Sequence, residues 1–372
     1  MAHRSADHKE ILLPRDNDEL LGQDYAAHVL LNDFITGKLA HGWMLSGPKG
    51  IGKATLAYHF ARYIFVEGTD KKNVSKLYEQ SQIRTGRFSP FYINPENPVF
   101  QRVAAGGHAD FYAVECSLNS AGKLRSEIVV DDIRKAFRFL KMTAGEGGWR
   151  VVIIDSADDL NLNAANALLK VLEEPPAHTL LLLVCHNPGR LLPTIRSRCQ
   201  KLRLKTLDYS TLIALINRHL PDISLNEQEK ILALADGSIG RALELARSDG
   251  TEIHDRLLSL LSKISVPSAS DIEAFNTDFF TANSAANFDM LAELLRRILH
   301  RIILSASGHA GAVKMADDDV IDELALKGSL DRWLKVWDKT NRFLDNTKRI
   351  NLDRKQVLLN IFLDISRVVR GF

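Results

Sequence analysis

The sequence predicts an α/β domain, a parallel sheet covered by helices on both faces, followed by two all-helical domains. Short apolar runs alternate with helical patterns as far as about Thr206, the arrangement that a parallel sheet with crossover helices requires. These runs are continuously apolar rather than alternating, which fits strands buried on both sides. Beyond Thr206 the patterns are helical only.

Taken in order, the candidate strands are Trp43–Leu45, Phe111–Val114, Val151–Ile154, Leu180–Val184 and Leu202–Leu204, with helices such as Lys53–Phe65 and Ala164–Glu173 between them. A first helical group runs from Ser210 to about Ser265 and is punctuated by Gly237 and Gly240; Val266–Ser270, with Pro267, reads as a linker. A second group comprises Asn287–Ser307, Leu330–Thr347 and Arg354–Val369. In the last of these, Val357, Leu358, Ile361, Phe362, Ile365 and Val368 recur at helical spacing on one face, and Asn351 and Asp353 precede it as candidate N-caps. The expected domains are 1–206, 207–265 and 266–372.

With 45% apolar and 25% charged residues the chain has the composition of an ordinary globular protein. Its 48 Lys and Arg against 46 Asp and Glu exclude a global basic signal for nucleic acid, leaving only local patches such as Arg134, Lys135, Arg138 and Lys141. Three cysteines, Cys116, Cys185 and Cys199, are too few and too scattered for a disulfide framework or a four-thiolate zinc site. The first residues, MAHRSADHKE, lack the apolar core of a secretory signal, and the longest apolar run, Leu180–Cys185, is strand-sized. These features point to a reducing, cytoplasmic setting with no membrane partner.

The strongest motif is Gly47-Pro-Lys-Gly50-Ile-Gly52-Lys53-Ala54-Thr55, which follows a strand and opens a helix. Its glycines let the backbone turn its N–H groups toward an anion at a helix N-terminus, and Lys53 would reach a terminal phosphate. Gly47, Gly50, Gly52, Lys53 and Thr55 are therefore candidate nucleotide-binding residues. A functional loop needs a Mg²⁺-ligating hydroxyl directly after the lysine, yet Ala54 stands there and Thr55 comes one residue, about 100° of helix rotation, too late. A later strand ends in Val151-Val-Ile-Ile-Asp155-Ser156-Ala157-Asp158, with Asp155 placed to assist a metal. Ser156 stands where a water-activating acid would follow, and a serine is no base near neutral pH. Asp158 and Asp159 read as solvated carboxylates at a helix start.

Asn166-Ala-Leu-Leu-Lys170-Val-Leu-Glu173-Glu174-Pro175-Pro176 and Ser197-Arg198-Cys199, with Leu20-Leu-Gly22-Gln23, His41-Gly-Trp43 and Gly107-His108-Ala-Asp110-Phe111, form an ordered set. By this set the chain resembles the AAA+ domain of bacterial DNA polymerase III clamp-loader subunits, over about residues 19–245. Within that family it is similar to the delta-prime type rather than the motor type. The motor would carry Ser or Thr at 54, Glu at 156 and an arginine where Gly240 lies in Gly237-Ser238-Ile239-Gly240-Arg241; Cys185-His186-Asn187 departs from its threonine-rich pattern as well. The resemblance implies a P-loop domain, a small helical lid and a helical collar. It further implies partners in a hetero-pentameric ring, a sliding clamp and primed DNA, and Arg198 acting as an arginine finger in a neighbour's ATP site, with Ser197 and Cys199 at the interface. Many members carry a four-cysteine zinc module that Val66–Gly106 here lacks, so no zinc is expected and no cofactor is required. Two readings stay open: a subunit that lends Arg198 without hydrolysing ATP, with weak ATP or phosphate binding at its own loop, and an active ATPase with unusual residues. From spacing alone, Asn166, Lys170, Glu173 and Glu174 are a solvated helix face; the alternative to the finger role is a structural salt bridge made by Arg198, Arg196 or Arg203.

Overall fold

The computed structural model describes residues 13–67, 89–119, 122–145, 148–264, 275, 279, 285–309, 318–350 and 352–371. Five strands, β1 (Gly42–Ser46), β2 (Phe111–Val114), β3 (Arg150–Asp155), β4 (Thr179–Cys185) and β5 (Gln200–Arg203), form one parallel sheet in the order β2-β3-β4-β1-β5. All five candidate strands are present, each within two residues of its expected limits. Helices α1 (Asp24–Ile35), α2 (Lys53–Glu67), α3 (Pro98–Ala104), α4 (Val130–Lys141), α5 (Leu162–Glu173) and α6 (Pro193–Arg198) connect them.

The continuous apolar runs arise because along the central strands β1 and β4 neither face of the sheet meets water. Along β4, Leu180, Leu182 and Val184 join the core made with α1 and α2, including Leu30, Leu56 and Phe60. Leu181, Leu183 and Cys185 join the opposite core, made with Ile133 of α4 and Leu168 of α5. A strand with no solvent side has no use for polar alternation, so hydropathy alone marks it.

By packing, the chain falls into two compact units, Met1–Asp222 with Asp236–Arg241, and Ile223–Ala235 with Ala242–Phe372. The domains 1–206, 207–265 and 266–372 follow element type, which is a different cut. Helix α7 (Tyr209–His219) belongs to the first unit and is capped by Asp208, whose carboxylate accepts the Thr211 N–H at 2.8 Å. The following helices are α8 (Leu225–Ala235), α9 (Ile239–Arg247), α10 (Gly250–Ser262), α11 (Ala285–Ala306), α12 (Asp318–Leu326), α13 (Leu330–Ile350) and α14 (Arg354–Val369). On α14 all six stripe residues are buried, and Asp353 caps it through the Lys355 and Gln356 N–H groups. Asn351 and the expected linker Val266–Ser270 lie outside the described residues. Helix α12 escapes the sequence reading: at nine residues it buries only Ile321, Leu324 and Ala325, too short a stripe to register as periodic.

If both faces of the sheet are dry, truncating neighbouring residues of β4 must be costly in both directions. Leu182→Ala and Leu183→Ala should each lose about 2–5 kcal/mol in chemical denaturation. A loss below about 1 kcal/mol at either position would mean that its face is open.

Candidate functional site

Because β3, β4 and β1 are neighbours in register, with Asp155 opposite Val184 and Ser46 opposite Cys185, the residues that follow them meet at one edge of the sheet. Those residues are Ser156, His186 and Gly47. The glycine loop occupies this edge. Gly47, Gly50 and Gly52 take φ values of 150°, 77° and 97°, a region that disfavours any residue with a Cβ. The loop then enters α2 at Lys53, leaving the first backbone N–H groups of a helix unpaired by the helix itself, the usual seat for an anion.

Other parts of the chain pin the loop. The buried Gln23 amide donates to Ile51 O and to Lys205 O, each at 2.9 Å. Ser238 Oγ donates to Lys49 O at 2.8 Å, and the Gly240 N–H donates to Gly50 O at 2.9 Å. A Cβ on Gly240 would stand 2.6 Å from Gly50 Cα, so the two backbones touch because both residues are glycine. Gly240, where the resemblance puts a missing arginine, is thus a packing residue in its own right. Its neighbour Arg241 pairs with Asp236 at 3.3 Å.

Lys53 is 3% exposed, and its Nζ donates to Gly47 O at 2.8 Å and to Pro48 O. Burial lowers its pKa to about 8, against the pull of Asp155 and Asp158. Asp155 is raised to about 6, first by burial and then by the Glu115 carboxylate, with Ser156 and Lys53 opposing. Thr55 is buried and Ala54 half-buried at the start of α2.

Ser156 lies 2.8 Å from His186 Nε2 and donates to Asp155 Oδ1 at 3.3 Å. Both contacts are satisfied when Nε2–H donates to Ser156 Oγ and the hydroxyl proton points at Asp155. Burial and Lys53 push His186 down to about 4, so the imidazole is neutral at physiological pH. Asp158 corrects the sequence expectation. Only 9% exposed, it accepts the backbone N–H groups of His186 and Asn187 at 2.9 and 3.0 Å instead of meeting solvent. Asp159 is half-buried, its pKa raised by burial and by Asp158. No local pattern signals the Asp158 contacts, because their partners lie 28 and 29 residues away. Gln23 and Ser238 were likewise invisible as supports of the loop, although both fall in segments that the resemblance marks.

The edge therefore offers an anion cradle, a lysine and a carboxylate, but no hydroxyl at position 54 and no acid at 156. The residues fit a phosphate better than a phosphate with its Mg²⁺.

Arg198 lies at the other end of the same strands. It stands two residues before β5, which starts opposite Trp43, and its carbonyl is 3.8 Å from where a Gly42 Cβ would be. The glycine loop leaves β1 from the opposite end, about 13 Å along a strand of five residues. The guanidinium is exposed and held at two points: Nη2 to Glu173 Oε1 at 2.7 Å and Nη1 to Thr194 O at 3.1 Å. So Arg198 does make an ion pair within the chain. Ser197 is exposed, its hydroxyl donating to Thr194 O at 3.0 Å. Cys199 is not available as a surface contact: its side chain is buried beside Gly42, and burial pushes the thiol up to about 12.

The buried carboxylate gives a signed pH dependence. The folded chain holds the Asp155 proton up to about pH 6 and the unfolded chain only to about 3.8, so the folded state binds more protons in between and loses stability as pH rises through that window. Asp155→Asn should therefore stabilise the chain by about 3 kcal/mol near pH 7.5 and by almost nothing near pH 4 in paired thermal melts. The glycine contact makes a second expectation. Gly240→Ala should lower stability by about 1–3 kcal/mol, since backbone rather than a pliable side chain must yield; a neutral melt would show that the contact is loose.

With this geometry in place, comparison with known proteins is informative. The family model described as DNA polymerase III, delta subunit matches residues 22–208, a little over half of the 372-residue chain. The DNA polymerase III subunit delta' of Pseudomonas aeruginosa is 37% identical over 199 residues, 54% of this chain and 53% of that protein. Subunit delta' of Escherichia coli is 28% identical over 291 residues, 78% of this chain and 77% of that protein. Subunit tau of Bacillus subtilis is 26% identical over 239 residues, 63% of this chain and 38% of that protein. The chain thus spans about half the length of the Pseudomonas relative. A matched span that runs from the segment before α1, through the glycine loop and all five strands, to the cap of α7 leaves one conclusion: this chain belongs to the DNA polymerase III delta subunit family, and the sheet with its glycine loop is that family's AAA+ domain.

Proposed function

We propose that this chain is a non-hydrolysing, delta-prime-type subunit of a DNA polymerase III clamp loader. In this reading it sits in a hetero-pentameric ring with other loader subunits, helps load a sliding clamp onto primed DNA in the cytoplasm, and lends Arg198 to the ATP site of a neighbour. The observation that carries the proposal is the separation of Arg198 from the chain's own loop by the full length of β1. An exposed arginine at that end of the sheet acts on another subunit's phosphate or on none. A guanidinium is permanently charged and planar, suited to charge developing on a transferred phosphoryl group.

The state of the chain's own loop agrees with this. Lys53 is bound to the loop's carbonyls, the hydroxyl of Ser156 is committed to Asp155, and the imidazole of His186 is neutral and shares that serine. Nothing at 54 or 156 holds a metal or takes a proton from water, so the loop suits weak retention of phosphate or nucleotide without turnover. Similarity to proteins named delta' favours the same reading over the motor type.

Purified chain with Mg-ATP should show no turnover; clear hydrolysis that Lys53→Ala abolishes would instead make it an active ATPase. In a reconstituted loader, Arg198→Ala should leave the melting temperature intact and lower turnover at the adjoining site by roughly 10³-fold or more. Unchanged turnover there would remove Arg198 from the reaction.

A further inference from the structure

Arg198 is the last residue of α6 and Glu173 the last of α5, and their side chains meet at 2.7 Å with 36% and 48% of each exposed. An ion pair this open to water adds little to stability. The packing beside it is apolar: Leu168 and Leu172 of α5 lie in one core with Ile195 and Cys199. Nor does α5 gain from the carboxylate, because a negative charge in the last turn opposes the helix dipole. Glu173 is therefore costly to its own helix and of little use to the fold. What it does is fix a direction. Together with Thr194 O on Nη1, its contact on Nη2 holds the guanidinium plane at two points. A free arginine samples many rotamers, whereas a planar group held on two nitrogens is oriented before it meets its target and still has other N–H groups to offer.

We infer that Glu173 is a positioning residue for Arg198, presenting the guanidinium in one orientation to a phosphate held by an adjoining subunit. This rests on the proposal that Arg198 acts in trans. A preset orientation works on the rate of the chemical step more than on nucleotide binding, because the arginine matters most when charge develops. Loosening an oriented group also costs much less than deleting it.

The test uses the reconstituted loader with four versions of this chain, following ATP turnover and, separately, thermal melting of the chain. Glu173→Ala should lower kcat about tenfold at nearly unchanged KM for ATP, against the ~10³-fold or greater loss for Arg198→Ala at the adjoining site. Glu173→Gln, which retains a carbonyl acceptor for Nη2, should recover most of that rate. Glu173→Ala combined with Arg198→Ala should be no worse than Arg198→Ala alone, because the glutamate acts only through the arginine. If Arg198→Ala lowers turnover while Glu173→Ala leaves it unchanged, or raises it, the positioning role is wrong; an increase would mean that Glu173 restrains the arginine. Additive losses in the double variant, or a change in KM alone, overturn it too. If Arg198→Ala itself has no effect, the reading in trans has failed, and the inference falls with it.

Discussion

The ends of β1, β3 and β4 lie side by side because parallel ladders hold these strands in one register, with no solvent on either face into which a strand could slip. A shift of one residue in β4 would exchange the environments of Leu181 and Leu182, which are both buried but belong to different cores. That constraint brings Gly47, Ser156 and His186 to one edge from points at least 30 residues apart in sequence. It also sends Arg198 to the other edge, since β5 runs parallel to β1 and the arginine precedes it. The register alone therefore separates the glycine loop from the exposed guanidinium by the length of β1.

Much of this was legible in the residues. Strands buried on both faces announce themselves by unbroken apolar runs, so Leu180–Val184 was found almost to its ends. The glycine loop was legible for a different reason: Gly47, Gly50 and Gly52 occupy backbone conformations that few other residues tolerate, so the motif is a conformational requirement written in residue type. What stayed hidden depends on contacts between distant segments. Asp158 looked like a helix-start carboxylate because its immediate neighbours fit that description; only the fold brings the backbone of His186 and Asn187 within its reach. Gly240 looked like the absence of an arginine, and only the fold shows the Gly50 backbone against it. Cys199, placed with Ser197 by motif, is turned inward while Ser197 stays outside, since residues two apart at a helix end point to roughly opposite sides.

The loop holds its shape with Ala54 and Ser156 at these positions, and its contacts give a physical reason. Gln23 ties it to Lys205, Ser238 ties it to the segment before α9, and Lys53 closes it from inside. These are contacts with the rest of the domain, so the conformation does not wait for a ligand. A loop whose backbone is structural in this way tolerates Ala54 and Ser156, which remove chemistry without removing support. It would not equally tolerate a side chain at 50 or 240, where backbone meets backbone.

The two ends of the sheet thus bear different kinds of constraint. At the loop edge, polar groups satisfy one another: Lys53 with carbonyls, Asp158 with two amides, His186 with Ser156 and through it Asp155. Such a network is rigid. At the Arg198 edge the polar groups are exposed, and the helix dipole works against Glu173. Charge held at an unfavourable place in the open is hard to explain by folding, whereas buried charge that is neutralised internally is hard to explain by catalysis. In the proposed reading, the edge whose side chains are not needed by the chain itself is the one that meets another molecule.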